Sequence, residues 1–119
     1  MRFNYESRAR RLMKRLPPLL PEWRLLIITE GHADYQPDYH GYCFPAEKLI
    51  HIYCPADRVY KFYGKVGRVF SFDEGFSFVY CHEWFHSLPC SAPGGWPKDS
   101  ELAADDFAIA YCRARGIIY

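Results

Sequence analysis

The stretch Cys81-His82-Glu83-Trp84-Phe85-His86 decides how this chain is read. It spells H-E-x-x-H. On a helix, residues four apart share a face, and at about 1.5 Å rise per residue the two histidines stand roughly 6 Å apart along the axis. Both imidazoles can then reach one metal ion. Glu83 projects from beside His82, close enough to hydrogen-bond a water in an open metal position. Two neutral nitrogen ligands, one open position and one general base are what zinc-dependent hydrolysis requires. The bland alternative is an exposed amphipathic helix that happens to carry two surface histidines.

Two neighbouring features weigh against that alternative. Residues 71–88 contain no proline, and Pro89 ends the run. Ser71-Phe72-Asp73-Glu74 has capping-box form, with acids in the first turn. Phe78, Cys81, Phe85 and Leu88 recur at helical spacing and are expected to face a core. The predicted helix therefore runs from about Phe72 to Leu88, with His82, Glu83 and His86 on the adjoining face. Downstream, Ser100-Glu101-Leu102-Ala103-Ala104-Asp105 opens a second helix, capped by Ser100 and stopped by Gly116 after about Ala114. Glu101 and Asp105 share a face. Glu101 would complete a His2Glu ligand set, and Asp105 would accept a hydrogen bond from a ligand histidine and fix its tautomer. Acids in a first turn also favour the helix unaided, and Asp106 is read that way.

The first motif followed by Glu101-Leu102-Ala103-Ala104-Asp105, an E-x-x-A-D pattern, resembles the gluzincin zinc metallopeptidases. The likeness is closest to the minimal gluzincins, small soluble scaffolds resembling the catalytic domains of integral-membrane metallopeptidases. The motifs cover residues 82–105 only, while chain length and order of elements fit throughout. The resemblance implies Zn2+ held by His82, His86 and Glu101, with Glu83 as general base and Asp105 supporting a histidine. It implies hydrolysis of a peptide or protein substrate by a water at the zinc. It also implies an α+β, zincin-like fold: an N-terminal helix, a small, about three-stranded sheet, the active-site helix and a C-terminal glutamate helix. In minimal gluzincins the C-terminal segment can occupy the cleft and hold the enzyme latent. The apolar tail Ile117-Ile118-Tyr119 could do so here, with self-association as a further use, or it could pack on its own sheet.

Two other readings fit the same residues. One is a non-catalytic zinc-binding regulator or scaffold of the same fold. The other is a structural zinc site in which Cys90 or Cys81 replaces Glu101. Catalysis also needs a group to stabilise the oxyanion, and Tyr111 on the last helix is a candidate.

The chain has 119 residues, enough for one domain over 1–119, and 50% hydrophobic with 18% aromatic content argues for a packed globule. A net charge of +1 carries no general polyanion-binding signal, so no nucleic-acid partner is expected. No apolar run nears the roughly 20 residues of a membrane span. With a polar, basic N-terminus and no signal peptide, the expectation is a cytoplasmic protein. The five cysteines, at 43, 54, 81, 90 and 112, are scattered and odd in number, which favours buried free thiols over a disulfide framework.

Elsewhere, residues 5–16 read as a helix with an apolar stripe and a basic face, stopped by Pro17 and Pro18. Strands are predicted at Trp23–Thr29, Tyr39–Phe44 and Leu49–Cys54, the last being the candidate edge for an extended peptide. His32 and His51 are read as surface or structural residues. Residues 55–70 are too apolar for a bare loop yet broken by Gly64 and Gly67, and are expected to wrap the core or wall the cleft. Trp96 is expected either to line the cleft or to plug the core.

Overall fold

In a computed structural model, which describes residues 3–62, 68–89 and 100–118, helices and strands follow in the order α1 (Tyr5–Met13), β1 (Arg24–Thr29), β2 (Gly41–Phe44), a 3₁₀ turn (Pro45–Glu47), β3 (Leu49–Cys54), β4 (Tyr60–Phe62), β5 (Arg68–Phe70), α2 (Phe72–Ser87) and α3 (Ser100–Ala114). Among the described residues this is an α+β fold with three helices, a three-stranded sheet and a two-stranded ribbon. Cys90, Trp96 and Tyr119 lie outside the described residues.

The chemistry of α2 explains the architecture. Its sequence is apolar on nearly every side, and such a helix must be covered all round. Phe72, Phe76, Phe78, Val79, Tyr80 and Cys81 are all buried. The stripe predicted from Phe78, Cys81, Phe85 and Leu88 is therefore only one part of the contact surface; Phe85 and Leu88 are half-buried. Glu74 reaches back to accept the Ser71 backbone N–H at 3.3 Å and so satisfies a donor that the first turn leaves without an intrahelical partner.

The sheet lies on α2 with strand order β1-β3-β2. β1 and β3 run parallel with Arg24 opposite Leu49, and β2 pairs antiparallel with β3, Gly41 opposite Ile52. Alternation along β3 sends Ile50, Ile52 and Cys54 into the core, each fully buried. β3 is thus the central strand, hydrogen-bonded on both sides. That corrects the expectation that Leu49–Cys54 could offer an edge to a peptide: its backbone groups are already used, and the edges are β1 and β2.

α1 starts where the Asn4 side chain accepts the Ser7 N–H at 2.9 Å. It ends at Met13 rather than Leu16, because the last turn tightens: Arg15 and Leu16 donate to carbonyls three residues back, Leu12 and Met13. The Arg8 guanidinium ties α1 to the start of α2 through a two-pronged pair with Asp73, the Nε–Oδ1 arm at 2.8 Å. After α1, Pro17 and Pro18 supply carbonyls to the Tyr80 hydroxyl and the Trp84 indole N–H.

α3 closes in a Schellman arrangement. Gly116, at φ 70°, lets its N–H reach the Arg113 carbonyl and the Ile117 N–H reach Cys112. The chain then turns inward, and Ile118 is buried in the main core. Among the described residues no helix is long and apolar enough to cross a membrane.

β4 and β5 form the ribbon within residues 55–70. Tyr60 is fully buried and donates its hydroxyl to the Tyr53 carbonyl at 3.1 Å. Its side chain lies against Gly75 of α2, where an added Cβ would stand 2.2 Å from Tyr60 Cδ2. At an open helical position, alanine in place of glycine gains about 1 kcal/mol. Here the clash reverses the sign: Gly75→Ala is expected to lower unfolding stability by about 1–3 kcal/mol, the usual cost of overpacking. Urea denaturation of the two proteins measures it, and an unchanged or higher midpoint would contradict this packing.

Candidate metal centre

α2 and α3 bring together the residues singled out by their spacing. His82 and His86 project from one face of α2, with ring centroids 4.9 Å apart. Glu101, in the first turn of α3, places its carboxylate between them: Oε2 is 3.0 Å from His82 Nε2 and Oε1 is 2.9 Å from His86 Nε2. One ligand atom from each of the three lies within 4.8 Å of the others, and this is the group that could hold a metal ion among the described residues.

Asp105, one turn beyond Glu101, takes the other side of His82. Its Oδ1 is 2.8 Å from His82 Nδ1. A carboxylate can only accept, so Nδ1 donates to Asp105 and Nε2 donates to Glu101; a metal ion taking the place of the Nε2 proton would leave Nδ1–H on Asp105 and receive the Nε2 lone pair. The donor set is chemically suited to zinc: two imidazole Nε2 atoms and one carboxylate, with the tautomer of one imidazole fixed by a second acid.

Glu83 is the buried member, 7% exposed. Burial pushes its carboxyl up to about 7; the neighbouring acids Glu101 and Asp105 push the same way and His82 opposes them. Burial also disfavours the charged form of both imidazoles. In His82 the Asp105 hydrogen bond and the surrounding acids outweigh it and the pKa is raised, whereas in His86 burial dominates and the pKa is lowered.

β2 fits against this face through Gly41, which the sequence pattern did not mark. A Cβ there would stand 2.7 Å from Val79 Cγ1 and 3.1 Å from Glu83 Cγ. Only a residue without a side chain lets the strand approach the acid so closely. Two cavities flank the centre. One, of about 370 Å³, lies toward His86 and reaches Tyr42, Pro45 and Ser100. The other, of about 270 Å³, lies toward His82 and is walled by Phe62, Phe78, Val79 and His40. Tyr39, Gly41, Glu83 and Glu101 border both. Phe62 brings the ribbon into the second cavity, so residues 55–70 do supply a wall of the cleft.

Other residues considered from sequence fall elsewhere. His51 faces Tyr53 on the outer side of the sheet, Nδ1 3.2 Å from the phenol oxygen, and His32 is exposed in a loop. Tyr111 donates to the Arg15 carbonyl at 3.4 Å and lies under the Arg115 guanidinium, engaged there and bordering neither cavity. Cys81 is fully buried and its thiol meets that of Cys112 on α3, on a side of α2 other than the one carrying His82 and His86. Cys43, Cys54 and Cys112 are also free thiols. Ile117 and Ile118 pack on the core and border neither cavity.

Comparison with protein-family models, curated proteins and solved structures gave no significant match. The likeness to gluzincins accordingly rests on the motif residues themselves.

The raised carboxyl of Glu83 gives a test independent of activity. Its folded value of about 7 exceeds the ordinary 4.5, so the metal-free fold binds this proton more tightly than the unfolded chain does. Stability is then fully present below about 4.5 and falls as pH rises through about 7. Metal-free Glu83→Gln, which cannot ionise, is expected to exceed the parent in stability at pH 8 by on the order of 2–3 kcal/mol, with the gap shrinking toward pH 5. Chemical denaturation at the two pH values measures the difference; a pH-independent gap would refute it.

Proposed function

We propose that this chain is a zinc metallopeptidase of gluzincin type on a zincin-like fold. The observation that carries the reading is the convergence of His82, His86 and Glu101 on one point, with Glu83 bordering the same two cavities and Asp105 orienting His82. A zinc ion held by the first three residues would act as a Lewis acid, lowering the pKa of a water and polarising a carbonyl.

The remaining work falls to the protein. Glu83 accepts the proton of the attacking water and delivers it to the leaving nitrogen. Its place beside the ligand group, bordering both cavities, supports this role. Asp105 keeps the His82 Nε2 lone pair directed at the ligand group. The outer edge of β2 supports an extended substrate: the strand is paired only with β3 in the sheet, and its first residue, Gly41, lies against Glu83. A peptide hydrogen-bonded to that edge would run across the centre with side chains directed toward the flanking cavities. The aromatic and aliphatic wall of Phe62, Phe78 and Val79 favours an apolar side chain on the His82 side.

Metal content and cleavage separate the roles. His82→Ala, His86→Ala and Glu101→Ala are each expected to abolish stoichiometric zinc binding, as read by elemental analysis after gel filtration. Asp105→Ala is expected to weaken zinc affinity by about 10–100-fold. Glu83→Gln should keep zinc and lose cleavage of casein or a peptide library by about 10²–10⁴-fold. A parent protein that binds one zinc yet cleaves none of these, or a Glu83→Gln protein that cleaves like the parent, would sink the enzyme reading and leave a metal-binding scaffold.

A further inference from the structure

The attack of water on a peptide carbonyl moves a pair of electrons onto the carbonyl oxygen. A preorganised donor at that oxygen is commonly among the largest contributors to such catalysis. The cavities hold few groups able to serve. Neither is bordered by a lysine or an arginine among the described residues. His40 already donates its Nε2–H to the Lys61 carbonyl at 2.9 Å. Tyr42 and Ser100 border only the cavity toward His86, and the Tyr42 ring leans on Phe44 with centroids 4.9 Å apart.

Tyr39 differs on each point. It stands in the loop just before β2 and borders both cavities, together with Glu83 and Glu101, so it sits where the two meet. It is 53% exposed, and its ring touches Tyr42 edge-on at 5.8 Å. Its backbone is held by a bond from its N–H to the Gln36 carbonyl at 3.3 Å. The phenol is thus an available donor on an anchored backbone, on the opposite wall of the cleft from α2.

Building on the metallopeptidase reading, we propose that Tyr39 is a catalytic residue whose hydroxyl donates a hydrogen bond to the substrate oxyanion. The water oxygen bonds to the carbonyl carbon, the carbonyl π pair moves onto its oxygen beside the Tyr39 hydroxyl, and the water's proton passes to Glu83. Collapse restores the carbonyl and breaks the C–N bond, and the nitrogen leaves with the proton from Glu83. Tyr39 keeps its own proton throughout, so it favours the transition state over the planar ground state.

The test uses the zinc-loaded full chain and its Tyr39→Phe, Glu83→Gln and Tyr111→Phe variants. Each is measured for kcat, KM, zinc content and, by calorimetry, affinity for a phosphinic peptide that mimics the tetrahedral oxyanion and for the corresponding product peptide. Tyr39→Phe is expected to keep its zinc, lose kcat by about 100-fold with KM little changed, and bind the phosphinic peptide at least tenfold more weakly with product affinity unaltered. Tyr111→Phe should match the parent. If Glu83→Gln is inactive while Tyr39→Phe cleaves and binds the phosphinic peptide like the parent, the assignment of Tyr39 is overturned and the peptidase reading stands. Loss of zinc in Tyr39→Phe, or equal weakening toward both peptides, makes Tyr39 a structural residue and also overturns it. If Glu83→Gln cleaves like the parent, the peptidase reading fails and takes the role of Tyr39 with it.

Discussion

The hydrogen bond from His82 on α2 to Asp105 on α3 holds the two halves of the site together behind the Glu101 contacts. Its length of 2.8 Å is that of a charge-assisted pair. It sets which nitrogen of His82 faces inward and ties α3 to α2 one turn from Glu101, which brings a carboxylate distant in sequence between two imidazoles. Without it Glu101, whose side chain is 71% exposed, would be one more solvated acid at a helix start. The arrangement couples helix packing to ligand geometry, so a disturbance of the α2–α3 contact is felt at all three donor atoms.

That coupling has an electrostatic cost. Three carboxylates crowd around two partly buried imidazoles, and the most buried acid, Glu83, is held far from its ordinary pKa chiefly by loss of water. Local strain of this kind is tolerated where the rest of a domain is well packed. Here it is absorbed by α2, whose other sides are covered by aromatic rings from α1, the ribbon and its own preceding turns. The helix that carries the expensive residues is also the most thoroughly enclosed of the three helices described.

What could be read without coordinates follows from this division. The extent of α2 was legible to within a residue, because a capping box, a proline stop and a long uninterrupted apolar run agree. β3 was legible at both ends because a clear alternation is bounded by turn residues. The pairing of His82 with His86 and of Glu101 with Asp105 was legible because helical spacing puts each pair on one face; that the two faces meet is set by the packing of α3 on α2. Strand order was not: a parallel β1–β3 pair with β2 on the outside depends on long-range pairing that no local pattern encodes. Residues 55–70 were obscure for a similar reason, since strands of three residues are too short to show a period. Tyr39 gave no signal because a loop residue acquires its role only from what the fold sets opposite it. The tail left two readings open, the cleft or packing within the fold; Ile118 is drawn into the core by the turn at Gly116, a coupling between a helix stop and a buried side chain two residues later.

The bare backbone at Gly41 has a consequence for ancestry. A side chain at that strand position would press on Val79, the His51 carbonyl and Glu83 at once, so lineages that keep this packing should retain a glycine well ahead of their paired histidines. Such an upstream marker, arising from contact rather than from chemistry, would distinguish true descendants from chains that acquired the same short metal signature by coincidence.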